Sequence, residues 1–321
     1  QKVSAKILDK ENHAPPVRLA LFSWAVGMCR DEFPKALGCV KPGGFGYGLA
    51  EKLVLSKVRE GLGGRVRFCI SGGAPLPSFV NEFVHSIGVR ILEGYGLTET
   101  SPVVGVNGAE PGMTRIGTIG KVIDGVEVKI AVDGELCVKG RNVMSGYWNL
   151  PEKTAEVFDG DGFFLTGDIA EIDDDGFIRI TDRKKDLIVT AGGKNVAPQP
   201  IENELKRSPL IDNAVLIGDR RPYIIALISP NQEELESWAA AHGVAYDSIE
   251  ELTKHPDIAA GYAKMIEDTN KNLARYEQIK KFVVLPLMLS IEGGHLTPTL
   301  KVKRRVVEKD YSDLVETLYA D

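Results

Sequence analysis

Two short apolar runs do most to restrict the fold of this chain. RVRFCIS (65–71) and VRILEGYG (89–96) are separated by PSFVNEFVHSIG, whose apolar residues recur at helical spacing. A helix-length segment between two strands is too long for a hairpin and reads as the crossover of a parallel pair. Upstream, AEKLVLSKVREGLG repeats the helical pattern with Leu53, Val54, Val58 and Leu62, and stops at a glycine suited to a C-cap. The expected order is helix, strand, helix, strand, an α/β arrangement with RVRFCIS as a buried strand. Ligands of such sheets sit beyond the carboxyl ends of the strands. Both glycine clusters, Gly72-Gly73-Ala74 and Gly94 to Gly96, fall there.

From about residue 116 the texture changes to short strands. VEVKIAVDGELCVKG alternates Val126, Val128, Ile130 and Val132, then turns at Asp133-Gly134. AEIDDDGFIRITDRKKD repeats the device at Asp175-Gly176. Both predict hairpins. LPEKTAEVF between them reads as a short helix with proline near its start. After Lys185 a smaller unit is expected. It has a helix at PIENELKRS, strands at NAVLIGD, YIIALISP and IKKFVVLP, helices near 231–242 and 258–275, and a terminal helix.

Composition narrows the function classes. Among 321 residues, 43% are hydrophobic and 26% charged, which is a globular chain long enough for two domains. Lys plus Arg is 39 against 45 Asp plus Glu, a net charge of −6, so a nucleic-acid partner is not expected. Cys29, Cys39, Cys69 and Cys137 are scattered, with no C-x-x-C, and read as buried, reduced thiols of a cytoplasmic protein. The apolar runs at 19–28 and 282–291 are too short to span a bilayer. The glycine-rich KPGGFGYGLAEK departs from G-x-G-x-x-G, because Leu49 replaces the last glycine, and reads as a loop before a helix.

The chemistry concentrates in EGYGLTETSP, Glu93 to Pro102. Gly94 and Gly96 permit close approaches that a Cβ forbids. Tyr95 offers a flat face for a base, Thr98 a hydroxyl for a phosphate oxygen, and Glu99 a hard oxygen ligand for Mg²⁺. The same residues also suit a strand end with a polar turn and no ligand. In GFFLTGDIA, Asp168 follows Gly167, and a carboxylate there can accept both hydroxyls of a ribose, although Gly-Asp turns are common. DRKKDLIVTAGGKNVAP sets Arg183, Lys184 and Lys185 at the change of texture, ahead of Gly192-Gly193. Those cations read either as a solvated face or as phosphate partners. GGHLTPTLKVKRR presents Lys301 late in the chain.

In this order, GYGLTET, LTGDIA, DRKKDLIVTAGGKNVAP and the late lysine resemble the adenylate-forming enzymes. SGGAPL, EGYGLTETSP and LTPTLKVKRR are most similar to bacterial long-chain fatty-acyl-CoA synthetases. The resemblance implies ATP, Mg²⁺, CoA and a fatty acid as cofactor and partners. It implies that Gly72, Gly73 and Ala74 line the adenine and acyl pocket. Tyr95, on the Gly94–Gly96 backbone, would stack on adenine, Thr98 would bind the α-phosphate, and Glu99 would hold Mg²⁺. Asp168 and Arg183 would serve the ribose. Lys185 would be the hinge of a mobile small domain, Gly192 and Gly193 the pantetheine path, and Lys301 the catalytic lysine of adenylation. A homodimer and peripheral membrane contact are compatible with it.

One feature of the family is missing. No Ser/Thr/Gly-rich phosphate loop with its lysine precedes GYGLTE, nor is there a G-x-x-x-x-G-K-[ST]. The expectation is therefore the carboxy-terminal half of such a ligase. Residues 1–184 would be the end of the large α/β domain, with a parallel or mixed sheet plus a small β-rich subdomain. Residues 185–321 would form the small, mobile α+β domain. A ligase for another acyl or aryl acid, and a non-catalytic nucleotide-binding fragment, are the alternatives.

Overall fold

A computed structural model describes residues 15–36, 45–110, 112–298 and 300–320. The chain divides into two compact units between Ile180 and Thr181. Cys39 and most of KPGGF lie outside the described residues. No described helix is long and apolar enough to cross a membrane.

The first unit opens with α1 (Pro16–Ala36), then α2 (Phe45–Ala50), one π-helical turn (Glu51–Leu55) and α3 (Ser56–Gly61). The spacing of Leu53, Val54, Val58 and Leu62 predicts one regular helix with these residues on its apolar face. The π turn inserts a residue and rotates the face. Ala50 and Leu55 are buried instead, and Leu53 is exposed. FGYGLA of the expected loop is helical from Phe45.

Strand β1 (Phe68–Ser71), helix α4 (Ser78–Ser86) and strand β2 (Arg90–Gly96) form the expected crossover, with β1 parallel to β2 from Phe68↔Arg90 to Ser71↔Glu93. The helix buries Val80 with the polar Asn81 and His85. His85 Nε2 accepts the N–H of Ile91 at 3.0 Å, and burial lowers the imidazole pKa, which keeps that acceptor available. β1 itself is not buried. Phe68, Cys69 and Ile70 are all exposed, because β1 pairs only with β2 among the described residues. Cys69 thereby departs from the buried thiol expected of it, whereas Cys29 and Cys137 are buried.

β3 (Val103–Val106) returns antiparallel to β2, and β4 (Lys121–Val122) to β3. A second four-stranded sheet contains β5 (Val126–Ile130), β6 (Glu135–Gly140), β7 (Phe164–Ile172) and β8 (Ile178–Arg183) in sequence order, with α5 (Pro151–Glu156) between β6 and β7. Both Asp-Gly turns close as expected: Gly134 and Gly176 take φ +87° and +83°, which favours glycine. Val132 sits in the first turn and is fully exposed, so the strand alternation stops at Ile130. The two sheets share a core of Val104, Val126, Leu136, Val138, Ala170 and Ile178, and the Tyr95 ring packs against it.

The second unit begins with β8's last residues and a 3₁₀ turn, Lys184–Asp186. There follow the hairpin of β9 (Ile188–Val189) and β10 (Asn195–Val196), then α6 (Pro198–Leu205), β11 (Ile211–Ile217) and β12 (Ile224–Pro230). Helices α7 (Gln232–His242), α8 (Ile249–Thr253) and α9 (Pro256–Asn270) come next. β13 (Ile279–Val284), α10 (Arg304–Asp310) and α11 (Ser312–Ala320) complete it. β12 is central and buried along its whole length. Its period of two divides it between two cores. Ile224, Ala226 and Ile228 face Ile201, Leu235 and Tyr262, whereas Ile225 and Leu227 face Leu285, Val307 and Val315. Each fully buried Leu or Ile contributes about 1.5–3 kcal/mol, so this doubly covered strand anchors the unit.

Candidate functional site

The Gly-Tyr-Gly element ends β2 as it pairs with β3. A Cβ on Gly96 would lie 1.5 Å from the carbonyl oxygen of Pro102, and one on Gly94 would lie 3.3 Å from Val106 Cγ2. The absent side chains serve the protein's own backbone first. β2 and its return strand approach so closely that only glycine fits at Gly96. Beyond it the chain makes a 3₁₀ turn, Thr98–Thr100, and Ser101 turns back at φ +51°.

That turn sorts the hydroxyls. Thr100 is buried. Its Oγ1 accepts the Leu97 N–H at 2.9 Å and donates to the Pro102 carbonyl at 2.8 Å, so it is a structural pin. Thr98 is exposed. Glu99 accepts at Oε1 a hydrogen bond from the Tyr147 hydroxyl at 3.1 Å, and its carbonyl accepts the Met144 N–H at 2.8 Å. Partial burial and then the Glu99 carboxylate push the Tyr147 phenol up, so it stays a neutral donor. The Tyr147 N–H donates in turn to Thr154 Oγ1 at 2.9 Å, fixing this loop to α5.

Asp168 comes from the second sheet. Phe164, Thr166, Asp168 and Ala170 alternate inward along β7, which buries the carboxylate to 2% exposure. Its Oδ2 accepts a hydrogen bond from the Tyr95 hydroxyl. Segments 73 residues apart in sequence are therefore joined at one point. Gly167 and Asp168 lie inside β7 and not in a Gly-Asp turn; Gly167 takes φ +71° where the β6–β7 register shifts, and its N–H donates to the buried Glu135 at 2.7 Å.

The remaining candidates occupy exposed backbone. Gly72, Gly73 and Ala74 follow β1, with Gly73 at φ +76°. Arg183 ends β8, and Lys185 lies in the 3₁₀ turn after it. Gly192 and Gly193 form the tip of the β9–β10 hairpin, whose Thr190 and Lys194 bond to each other across it. Lys301 is exposed on a turn in which Thr297 Oγ1 accepts its N–H at 3.0 Å and Thr297 N–H donates to its carbonyl at 2.8 Å.

Among the described residues, no three His, Cys, Asp or Glu side chains converge on a metal position. A single carboxylate, Glu99, suits an Mg²⁺ ion that arrives with nucleotide phosphates and keeps several waters. It does not suit a resident ion. Tyr147 escaped the sequence reading because a lone Tyr after glycine carries no periodicity or spacing signal.

Residues 35–148 match the family model described as AMP-binding enzyme, and residues 185–321 match AMP-binding enzyme C-terminal domain. Over 274 residues the chain is 43% identical to the long-chain-fatty-acid–CoA ligase FadD15 of Mycobacterium bovis, covering 85% of this chain and 45% of that protein. It is 33% identical over 345 residues to the long-chain-fatty-acid–CoA ligase ACSBG2 of Gallus gallus, covering 100% of this chain and 45% of that one. The chain thus spans about half the length of the curated relatives it matches. Among solved structures it is similar to the adenylation domain of a carboxylate reductase from Mycobacterium chelonae, with 27% identity and a TM-score of 0.66 over 92% of this chain and 45% of that one. The AMP complex of a carboxylic acid reductase didomain from Segniliparus rugosus gives 25% identity and a TM-score of 0.63 over 94% and 40%. Matched in order by both family models, and alike in fold, the chain belongs to the AMP-binding family of adenylate-forming enzymes.

Proposed function

We propose that this chain is the carboxy-terminal part of a long-chain fatty acid–CoA ligase. The single observation that carries the reading is the Tyr95–Asp168 hydrogen bond, which joins the GYGLTE and LTGD segments. In the parent reaction a fatty carboxylate oxygen attacks the α-phosphorus of ATP, the bond to the β-phosphate oxygen breaks, and pyrophosphate leaves. The CoA thiol then attacks the acyl carbon, and AMP departs as the thioester forms. The roles proposed for the site residues are those that the family resemblance implies. Tyr95 stacks on adenine beside the Gly72–Ala74 backbone, and Asp168 with Arg183 takes the ribose. A ribose would compete with the Tyr95 hydroxyl for the Asp168 carboxylate. Thr98 takes the α-phosphate, and Glu99 takes Mg²⁺, which supplies charge neutralisation on the phosphates. Lys301 serves adenylation, Lys185 the hinge of a unit spanning residues 185–321, and Gly192-Gly193 the CoA path. The work of these residues is positioning and charge stabilisation. The enzyme would be cytoplasmic, with peripheral membrane contact and a homodimer as further proposals.

A second reading, a nucleotide-binding fragment without catalysis, is favoured for the 321-residue chain alone, because its sequence holds no phosphate loop. This chain alone is expected to bind AMP weakly and to show no fatty-acid-dependent pyrophosphate exchange. Contacts made only in the transition state set the rate, and those to the outgoing pyrophosphate are missing. Robust exchange would overturn the claim that they are needed. Absence of AMP binding by a chain with a folded circular-dichroism spectrum would overturn the adenosine site itself.

The Glu99–Tyr147 contact gives a milder test. Tyr147→Phe in the full-length protein removes one hydrogen bond to a carboxylate, and at this half-exposed site about 1–2 kcal/mol of it, from the low end of the range for charged acceptors, is expected to reach metal binding. Glu99 then loses its orientation. The Mg²⁺ concentration for half-maximal AMP–pyrophosphate binding, read by calorimetry, is expected to rise about 5- to 30-fold. An unchanged Mg²⁺ requirement would show that Tyr147 only packs.

A further inference from the structure

Three residues beyond Lys301, Arg304 opens α10 and turns its guanidinium inward. It forks onto Glu202 of α6, Nη1 to Oε1 at 2.5 Å and Nη2 to Oε2 at 3.1 Å. Nη1 also donates to the carbonyl of Leu216 at 2.7 Å, and Glu202 Oε1 accepts the N–H of that same residue at 2.8 Å. Leu216 lies on β11, an edge strand paired only to β12 among the described residues. Its outward N–H and C=O thus receive from an ion pair what a further strand would give them. Two bonds in a fixed plane are what an Arg fork provides and a Lys does not.

The same charge cluster reaches the start of the second unit. Asp182, 3% exposed at the end of β8, accepts the Gln199 N–H at 3.0 Å at the amino end of α6, and the Arg183 N–H at 2.7 Å. Burial pushes its carboxyl up to about 6, while those two amides and the field of Arg304 pull it down. Asp186 also acts on Arg304. Towards Lys301 the chain has little slack. Lys303 N–H donates to the His295 carbonyl at 2.8 Å, Val302 bridges to Leu296, and Leu300 holds φ +61°, a conformation β-carbon-bearing residues seldom adopt. A displacement of Arg304 is therefore carried to Lys301 through a bonded strip of three residues.

We propose that the Arg304–Glu202 pair is a positioning device for Lys301, setting the place from which its turn presents the ammonium group during adenylation. This rests on the reading of Lys301 as the adenylation lysine. A merely structural pair would hold α10 to the sheet and affect both half-reactions together. A positioning pair affects one.

The test uses the full-length protein and the two half-reactions measured separately. Arg304→Met combined with Glu202→Gln removes both members of the pair, so neither is left as the other's unpaired buried charge. Arg304→Lys keeps the charge and loses the fork. In the double variant, kcat for fatty-acid-dependent pyrophosphate exchange is expected to fall about 10- to 100-fold, the loss that follows a misplacement of about 1 Å. Arg304→Lys is expected to recover part of that loss. The KM for Mg·ATP, and thioester formation from supplied acyl-adenylate, should stay within about twofold in both variants. If Lys301→Ala removes adenylation selectively while the pair variants slow both steps alike, or neither, the positioning role is overturned and the reading of Lys301 stands. If Lys301→Ala itself slows both steps alike, that reading falls and the positioning role falls with it.

Discussion

Lys301→Ala in the full-length protein is expected to slow acyl-adenylate formation by about 10²–10³-fold, the loss typical of removing one group that stabilises transition-state charge. Thioester formation from supplied acyl-adenylate should change far less. The residue stands exposed on a turn pinned at both its N–H and its carbonyl by Thr297, and no described carboxylate pairs with it. A lysine whose role was to hold the second unit together would be expected to have a partner, as Arg304 does in Glu202 and Arg221 does in Glu316. Lys301 instead offers an uncommitted charge on a stiff support. In adenylation, negative charge shifts onto the α-phosphate oxygens and the departing pyrophosphate. A cation waiting there without reorganisation lowers the barrier. In the thioester step the α-phosphate is already part of the leaving AMP, so the same cation is needed less. Equal losses in both steps would make Lys301 structural and leave Lys303 as the better candidate. A single-turnover assay with isolated acyl-adenylate separates the two outcomes.

Much of the fold could be read from local chemistry. Asp133-Gly134 and Asp175-Gly176 mark turns in which glycine takes positive φ, and both hairpins close there. The βαβ crossover from Phe68 to Gly96 followed from element length alone. What sequence could not show depends on neighbours far along the chain. Leu53 and Leu55 look alike in a helical pattern, and a single π turn decides between them. Cys69 and Ile70 look like core residues, but exposure depends on what covers β1. Thr98 and Thr100 are two positions apart and chemically identical, yet the fold consumes the hydroxyl of Thr100 and leaves that of Thr98 outside. The same holds for the candidate site. Motif spacing pointed to Tyr95 and Asp168 separately. Their bond, the Tyr147 contact to Glu99 and the Glu202–Arg304 fork each require tertiary structure.

Gly96→Ala should be among the most damaging single substitutions in the first unit, and more so than Gly94→Ala two residues earlier. The added methyl on Gly96 would stand 1.5 Å from the Pro102 carbonyl oxygen and 2.5 Å from its carbon, both backbone atoms that no rotamer change can move away. At Gly94 the nearest atom is Val106 Cγ2 at 3.3 Å, the end of a side chain that can yield by a few tenths of an ångström. Overpacking of the second kind costs about 1 kcal/mol. The first kind forces β2 and β3 apart and is expected to cost more than about 3 kcal/mol. The damage should also be specific. Pro102 O is the acceptor of the Thr100 hydroxyl, so pushing it outward releases the pin that shapes the Thr98–Thr100 turn. Thr98 and Glu99 would then lose their placement even in molecules that remain folded. Urea unfolding of the full-length protein gives the stability difference, and AMP titration of the folded population gives the site effect. Gly96→Ala is expected to lower both and Gly94→Ala mainly the first, by less. Equal tolerance at the two positions would mean that β2 and β3 do not approach this closely, and that the glycines of this motif leave room for a ligand and not for Pro102.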